Sequence, residues 1–179
     1  MTSAVSSAPA TIGSTAARPG LRAGLLADRL IQGARALAEV AATLGDAEWR
    51  TPISATDDRS VGTVVHHVAS VYPIEVDLAL TIARGGTVTG VTGRDIDVMN
   101  GNHAAANPVV SKADTLELLR RNSADAEAAI RALSDEELDR AASVSLYDDA
   151  PLTCQFVLED HAVRHSYHHL AAIRALVRR

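Results

Sequence analysis

His161, His165 and His169 follow one another at intervals of four residues, and with His168 they put four of the chain's seven histidines into nine positions. On an α-helix that interval stacks the imidazoles one above another, each turned about 40° from the last. Leu158, Ala162, Ile173 and Leu176 fall on or beside the same stripe, so the spacing predicts that His165 and His169 face the interior. Two imidazoles at i and i+4 can both reach one metal ion. A lone pair of this kind is more often two ordinary histidines. A metal site needs a third ligand from elsewhere.

The elements that must position these residues read as helices. Between Leu21 and Leu44 the apolar residues Leu26, Leu30, Leu37, Val40 and Leu44 recur at helical spacings, and Gly45 ends the run. Residues 46–59, with Trp49, Pro52 and Asp57-Asp58, read as a loop. Ser60 caps a second helix that runs to Arg84 and stops at Gly85-Gly86. Its inner stripe is Val64, His67, Val71, Ile74 or Glu75, Leu78 and Ile82, and Pro73 should bend it. The Gly- and Thr-rich stretch 86–93 lacks the spacing and the Lys-Ser/Thr of a phosphate loop.

Residues 95–106 form a short helix carrying Asn100 and His103. A third long helix begins at Ser111 with Leu116, Leu119, Ser123, Ala126, Ile130 and Leu133 inward, and Ser134 to Glu137 is a capping box for one more turn. A polar loop with Tyr147, Asp148, Asp149 and Pro151 leads into the histidine helix, about residues 152–177. No stretch reads as a strand. The expected fold is all-α: a four-helix bundle with crossover connections and one or two short extra helices. Residues 1–20 read as a disordered tail without a secretory pattern, and 21–179 as one domain.

A bundle can supply the third ligand. His67 shares its stripe with Val64 and Val71, while His66 is turned about 100° away. An inward histidine on an apolar stripe is by default a hydrogen-bonded core residue, but this one has the helix and the face to join His165 and His169. Three neutral imidazoles leave a coordination position open, as a catalytic metal requires. Asp160 and Glu159 precede the ligands and could orient an imidazole, although such residues are more often a solvated face. Asn100 and His103 border the pocket if 95–106 caps the bundle end. His161 and His168 flank the stripe, and Arg164 and Tyr167 lie off it. Cys154 stands nearly three turns before His165, a rise of about 16 Å, too far to share a metal.

Four stretches resemble the DinB-like superfamily of four-helix metalloproteins: SVGTVVHHVAS (60–70), DIDVMNGNHAAA (95–106), the helix from Ser111 with its LSDEELDR close, and HAVRHSYHHLAAI (161–173). That superfamily is distinct from the translesion polymerase of the same name. It includes the N-terminal domain of mycothiol-dependent maleylpyruvate isomerase and the bacillithiol and mycothiol S-transferases. The resemblance spans roughly 24–178 and puts the family's metal ligands on His67, His165 and His169. Many members follow the last histidine with Arg-Gly-Gln, where this chain has Leu170-Ala171-Ala172. A polar contact is missing there, so no particular substrate carries over.

The resemblance implies a divalent metal, zinc or nickel ahead of iron, cobalt or manganese, and a thiol S-transferase that activates a low-molecular-weight, mycothiol-like thiol against an electrophilic small molecule. The alternatives are a metal-dependent hydrolase, isomerase or cyclase of specialised or self-protective metabolism, and a non-catalytic metal-binding stress or binding protein. A homodimer is a further expectation of the family. Composition narrows the partners. A net charge of −5 and 3% aromatics argue against nucleic acid, and no apolar run approaches the ~20 residues that span a bilayer. One cysteine fits a reducing compartment, so the expected location is cytoplasmic.

Overall fold

The computed structural model describes residues 19–177, so nearly all of the expected 1–20 tail lies outside the described residues. Four long helical rods carry the fold. They are α1 (Leu21–Thr43), α3 (Val61–Ala83), α5 (Lys112–Arg131), and a final rod made of α7 (Cys154–Leu158), a π-helical turn (Glu159–Val163) and α8 (Arg164–Val177). The shorter α2 (Asp46–Arg50), α4 (Gly93–Ala106) and α6 (Asp135–Asp139) lie between them, with a two-stranded antiparallel sheet of β1 (Ala141–Val144) and β2 (Ala150–Thr153). α1 packs on α5 and α8, and α3 packs on α5 and α7. The consecutive long helices α1 and α3 therefore occupy opposite corners, and their connection crosses a bundle end as expected. Among the described residues no helix is long and apolar enough to cross a membrane.

The expected stripes make the core. Leu26, Leu30 and Leu37 of α1 meet Leu119 and Ile130 of α5 and Val65, Tyr72 and Ile82 of α3 in one buried cluster. Side-chain caps start the helices as read: Ser60 Oγ accepts from Thr63 N–H at 3.0 Å and Ser111 Oγ from Asp114 N–H at 3.3 Å. Two glycines are required by close approach. A Cβ on Gly33 would lie 2.8 Å from the Tyr167 ring, and one on Gly62 would lie 2.5 Å from the Trp49 indole. The absent side chain on α1 lets Tyr167 of α8 donate from its hydroxyl to the Arg29 carbonyl at 3.0 Å.

Three readings of the sequence are corrected. The segment 46–59 is not all loop. Glu48 accepts from Gly45 N–H at 2.7 Å and closes α2, which buries Trp49. Five residues are too few to show a helical period. The polar stretch before the histidine helix is a hairpin, with Val144 opposite Ala150 and Ala141 opposite Thr153. Its turn uses positive φ at Asp148 and Asp149, a conformation aspartate tolerates better than most residues, and four-residue strands show no alternation to read. Val88 N–H donates to Ser143 O at 3.0 Å, tying the α3–α4 connection to this hairpin.

The histidine helix, finally, is not one regular α-helix from residue 152. It begins at Cys154 and widens at Glu159–Val163, where Arg164 N–H reaches the Glu159 carbonyl five residues back. A regular helix lets residues four apart drift by about 40° at each step. The wider turn takes up that drift. It keeps Leu158, Ala162, Ser166 and Leu170, all buried, in one row against the core. A hydrogen bond between Tyr72 Oη and Ser166 Oγ, both fully buried, then pins this rod to α3 beside the histidines.

Candidate metal centre

His67 projects from the second turn of α3 and is only 4% exposed; His165 and His169 project from the first two turns of α8 and are half-buried. Each offers a ring nitrogen, and these nitrogens lie within 4.8 Å of one another. Ligands on one zinc at about 2.1 Å sit about 3.4 Å apart, so small ring rotations complete the set. The ring centroids are 5.0 Å apart for His67–His165, 5.8 Å for His67–His169 and 4.8 Å for His165–His169. The rings meet edge-on or tilted, as ligands around a shared point do, and are not stacked.

Burial, followed by the neighbouring His165, pushes His67 and His169 down to about 3. Both are therefore neutral at physiological pH, with lone pairs free to coordinate. The unfolded chain protonates these histidines below pH 6.5, whereas the folded metal-free protein resists until about pH 3. Stability from this source is whole above 6.5 and is lost as pH falls through that window. Melting curves of chelator-treated protein should show Tm dropping from pH 6.5 toward 3, with a shallower drop in His169→Leu. Parallel curves for the two proteins would contradict the assignment.

Glu75 orients His165. Its Oε1 accepts from His165 Nδ1 at 2.5 Å, which holds the proton on Nδ1 and leaves Nε2 as the donor atom. Its Oε2 is buried and has no hydrogen-bond partner among the described residues. A carboxylate oxygen left this way costs several kcal/mol unless a cation lies near it. That orphaned oxygen, and three imidazoles from two helices with their ring nitrogens close together, fit a divalent metal; the donor set suits zinc, nickel, iron or cobalt.

The ligand cluster opens onto a cavity of about 400 Å³. Val71, Ile74 and Leu78 of α3, Ile96 and Met99 of α4, and Leu146 from the hairpin turn form an apolar wall, and Arg59 and Arg164 add cationic groups. Arg59 is held by Asp57 at 2.6 and 2.9 Å. α4 buries none of its residues fully, and Ile96, Met99 and Asn100 along it line the cavity.

The residues expected around the ligands fare differently. Asn100 and His161 line the cavity. His103 stacks on His66, with its Nε2 2.9 Å from His66 Nδ1, and touches His67 edge-on at 5.3 Å. Asp160 also lines the cavity, where it accepts from Tyr147 Oη and pairs with Arg164 at 3.3 Å rather than with an imidazole of the trio. Glu159 is turned away toward Arg29 at 3.3 Å, because the π turn rotates it onto the α1 side. Arg164, expected off the inner face, reaches the cavity edge through that same pairing. His168 is exposed and flanks His169, and Cys154 is buried with its thiol pushed up to about 11 by desolvation.

Leu170 is buried in the core and gives the cavity no polar group. Glu75 was visible in the sequence only as a carboxylate two turns after His67 on an apolar stripe. Arg59 and Tyr147, which lie outside the helices, had no periodic signal at all.

No curated protein matches the chain. Among solved structures, YfiT from Bacillus subtilis superposes with a TM-score of 0.71 at 19% identity, covering 93% of this chain and 94% of that one. It is described as a probable metal-dependent hydrolase with an unusual four-helix bundle topology, and at that identity the likeness establishes the fold. The family profile of the DinB superfamily matches residues 29–173, which include His67, His165 and His169. The chain belongs to the DinB superfamily.

Proposed function

We propose that this protein is a metal-dependent enzyme that activates a low-molecular-weight thiol for attack on an electrophilic small molecule. The observation that carries the reading is the convergence of three histidines on one side of a cavity large enough for a small substrate. A divalent ion held there supplies Lewis acidity and lowers the pKa of a thiol or water at its open position. His67, His165 and His169 would hold it, with Glu75 fixing the His165 tautomer. The wall of Val71, Ile74, Leu78, Ile96 and Met99 would take the apolar body of the electrophile and exclude water. Arg59 and Arg164 would receive an anionic substituent on either partner.

A second reading is hydrolysis, favoured by the description of YfiT as a probable metal-dependent hydrolase. The two differ in product mass. Metal-loaded protein incubated with thiols and a panel of epoxides, enones and activated esters should give products heavier by the thiol. Products heavier by water alone would select hydrolysis. Metal-loaded protein inert toward every class would leave a metal-binding protein without turnover. Pairing of two chains belongs to the same reading and rests on the family resemblance.

A further inference from the structure

The cavity wall carries a second device made of residues outside the ligand set. Tyr147, in the middle of the connection between β1 and β2, donates its single hydroxyl proton to Asp160 Oδ2. The phenol oxygen lies 3.0 Å from His161 Nε2, so the hydrogen bond between them must be donated by the ring N–H. The other Asp160 oxygen faces Arg164 Nε at 3.3 Å, which keeps the carboxylate an acceptor. His161 is thus held with its proton on Nε2 and a lone pair on Nδ1. Among the described residues that nitrogen has no hydrogen-bond partner, and it is not sealed from the cavity that His161 lines.

The arrangement is built by tertiary structure. The hairpin delivers Tyr147, whose ring meets His161 edge-on at 5.9 Å, and the π turn delivers Asp160 and His161. The groups facing His161 come from each neighbouring element: Glu75 of α3, Tyr147 of the hairpin, Asp160 on its own turn, and Arg164 and His165 of α8. Burial is the largest influence and keeps the imidazole neutral, while Glu75 and Asp160 favour a proton on it and His165 and Arg164 oppose one. Burial and the Asp160 bond push the Tyr147 phenol up, so it stays a hydroxyl at neutral pH.

We propose that His161 is the proton acceptor of this site, with Tyr147 and Asp160 as positioning residues. This rests on the thiol reading above. As the thiol binds, its S–H bond breaks, the electron pair stays on sulfur for the new carbon–sulfur bond, and the proton passes to His161 Nδ1. The imidazolium then carries both ring protons, and Asp160 opposes its charge through Tyr147. The same proton is available to the leaving group, or to the carbanion or oxyanion that the attack creates.

The test is proton accounting during binding, which needs no turnover. Calorimetric titration of zinc-loaded protein with N-acetylcysteine, repeated in buffers of different ionisation enthalpy, reads the protons released per bound thiol. His161→Gln keeps an N–H toward Tyr147 but has no basic nitrogen; it should release up to about one proton more than wild type. Tyr147→Phe should release an intermediate number, and both should retain zinc. Equal proton release in wild type and in either zinc-loaded variant overturns the assignment of His161. If N-acetylcysteine fails to bind zinc-loaded wild type, the thiol reading falls instead and takes this role with it.

Discussion

Replacing His67 with alanine is expected to strip the protein of its metal. Wild-type protein, reconstituted and desalted, should hold about one divalent ion per chain by inductively coupled plasma mass spectrometry, and His67→Ala close to none. Loss of a residue that merely orients a ligand lowers metal affinity about 10–100-fold, and loss of a ligand should exceed that range. His165→Ala should behave the same way from the other helix, because the ligand nitrogens of α3 and α8 converge within 4.8 Å. Metal bound only by the folded state adds about 2.7 kcal/mol at a free concentration 100 times Kd. Added metal should therefore raise the Tm of wild type and leave that of either variant unmoved. Unchanged helical circular dichroism would show that the bundle persists. Full occupancy in His67→Ala would break the three-histidine site, whatever the activity of the protein.

The second large effect is expected at Glu75. In Glu75→Leu, His165 Nδ1 loses the acceptor 2.5 Å away that sets its tautomer and ring orientation. Metal affinity, measured by competition with a chromophoric chelator, should fall about 10–100-fold. Glu75→Gln keeps an acceptor oxygen but removes the charge, and should fall between Glu75→Leu and wild type. The metal-free proteins should rank differently. There the buried Oε2 has no partner, so removing the carboxylate relieves a desolvated charge even as it strands the imidazole N–H. A Glu75→Leu variant that binds metal as wild type does would show that His165 needs no help to face the ion.

How much of this was legible beforehand follows from what a linear pattern can encode. The long helices were readable because each has one face against the core, and burial of that face imposes a period of 3.6 residues over many turns. Ser60, Ser111 and Ser134 marked helix starts because capping is a contact within three residues. The clustering of three histidines was readable for the same reason. His165 and His169 share a face by helical geometry, and His67 sits on the buried stripe of a neighbouring rod. The short α2 and the hairpin escaped because they hold too few residues to show a period, and because Trp49 and Val144 are placed by partners far along the chain.

By itself, then, the sequence determined an all-α bundle, the inward faces of its rods and the three histidines that a metal would share. Each of these follows from local periodicity and burial. Only the tertiary structure decided what surrounds them. It chose Glu75 over Ile74 for the interior: the glutamate is 8% exposed against His165, and Ile74 is 47% exposed. It inserted a π turn that sends Glu159 outward to Arg29 while Asp160 and His161 meet Tyr147. It also brought Ile96 and Met99 of α4 and Leu146 of the hairpin loop to line the cavity beside the histidines. These outcomes depend on side chains from different elements competing for the same space and the same hydrogen bonds. That competition exists only once the chain has packed.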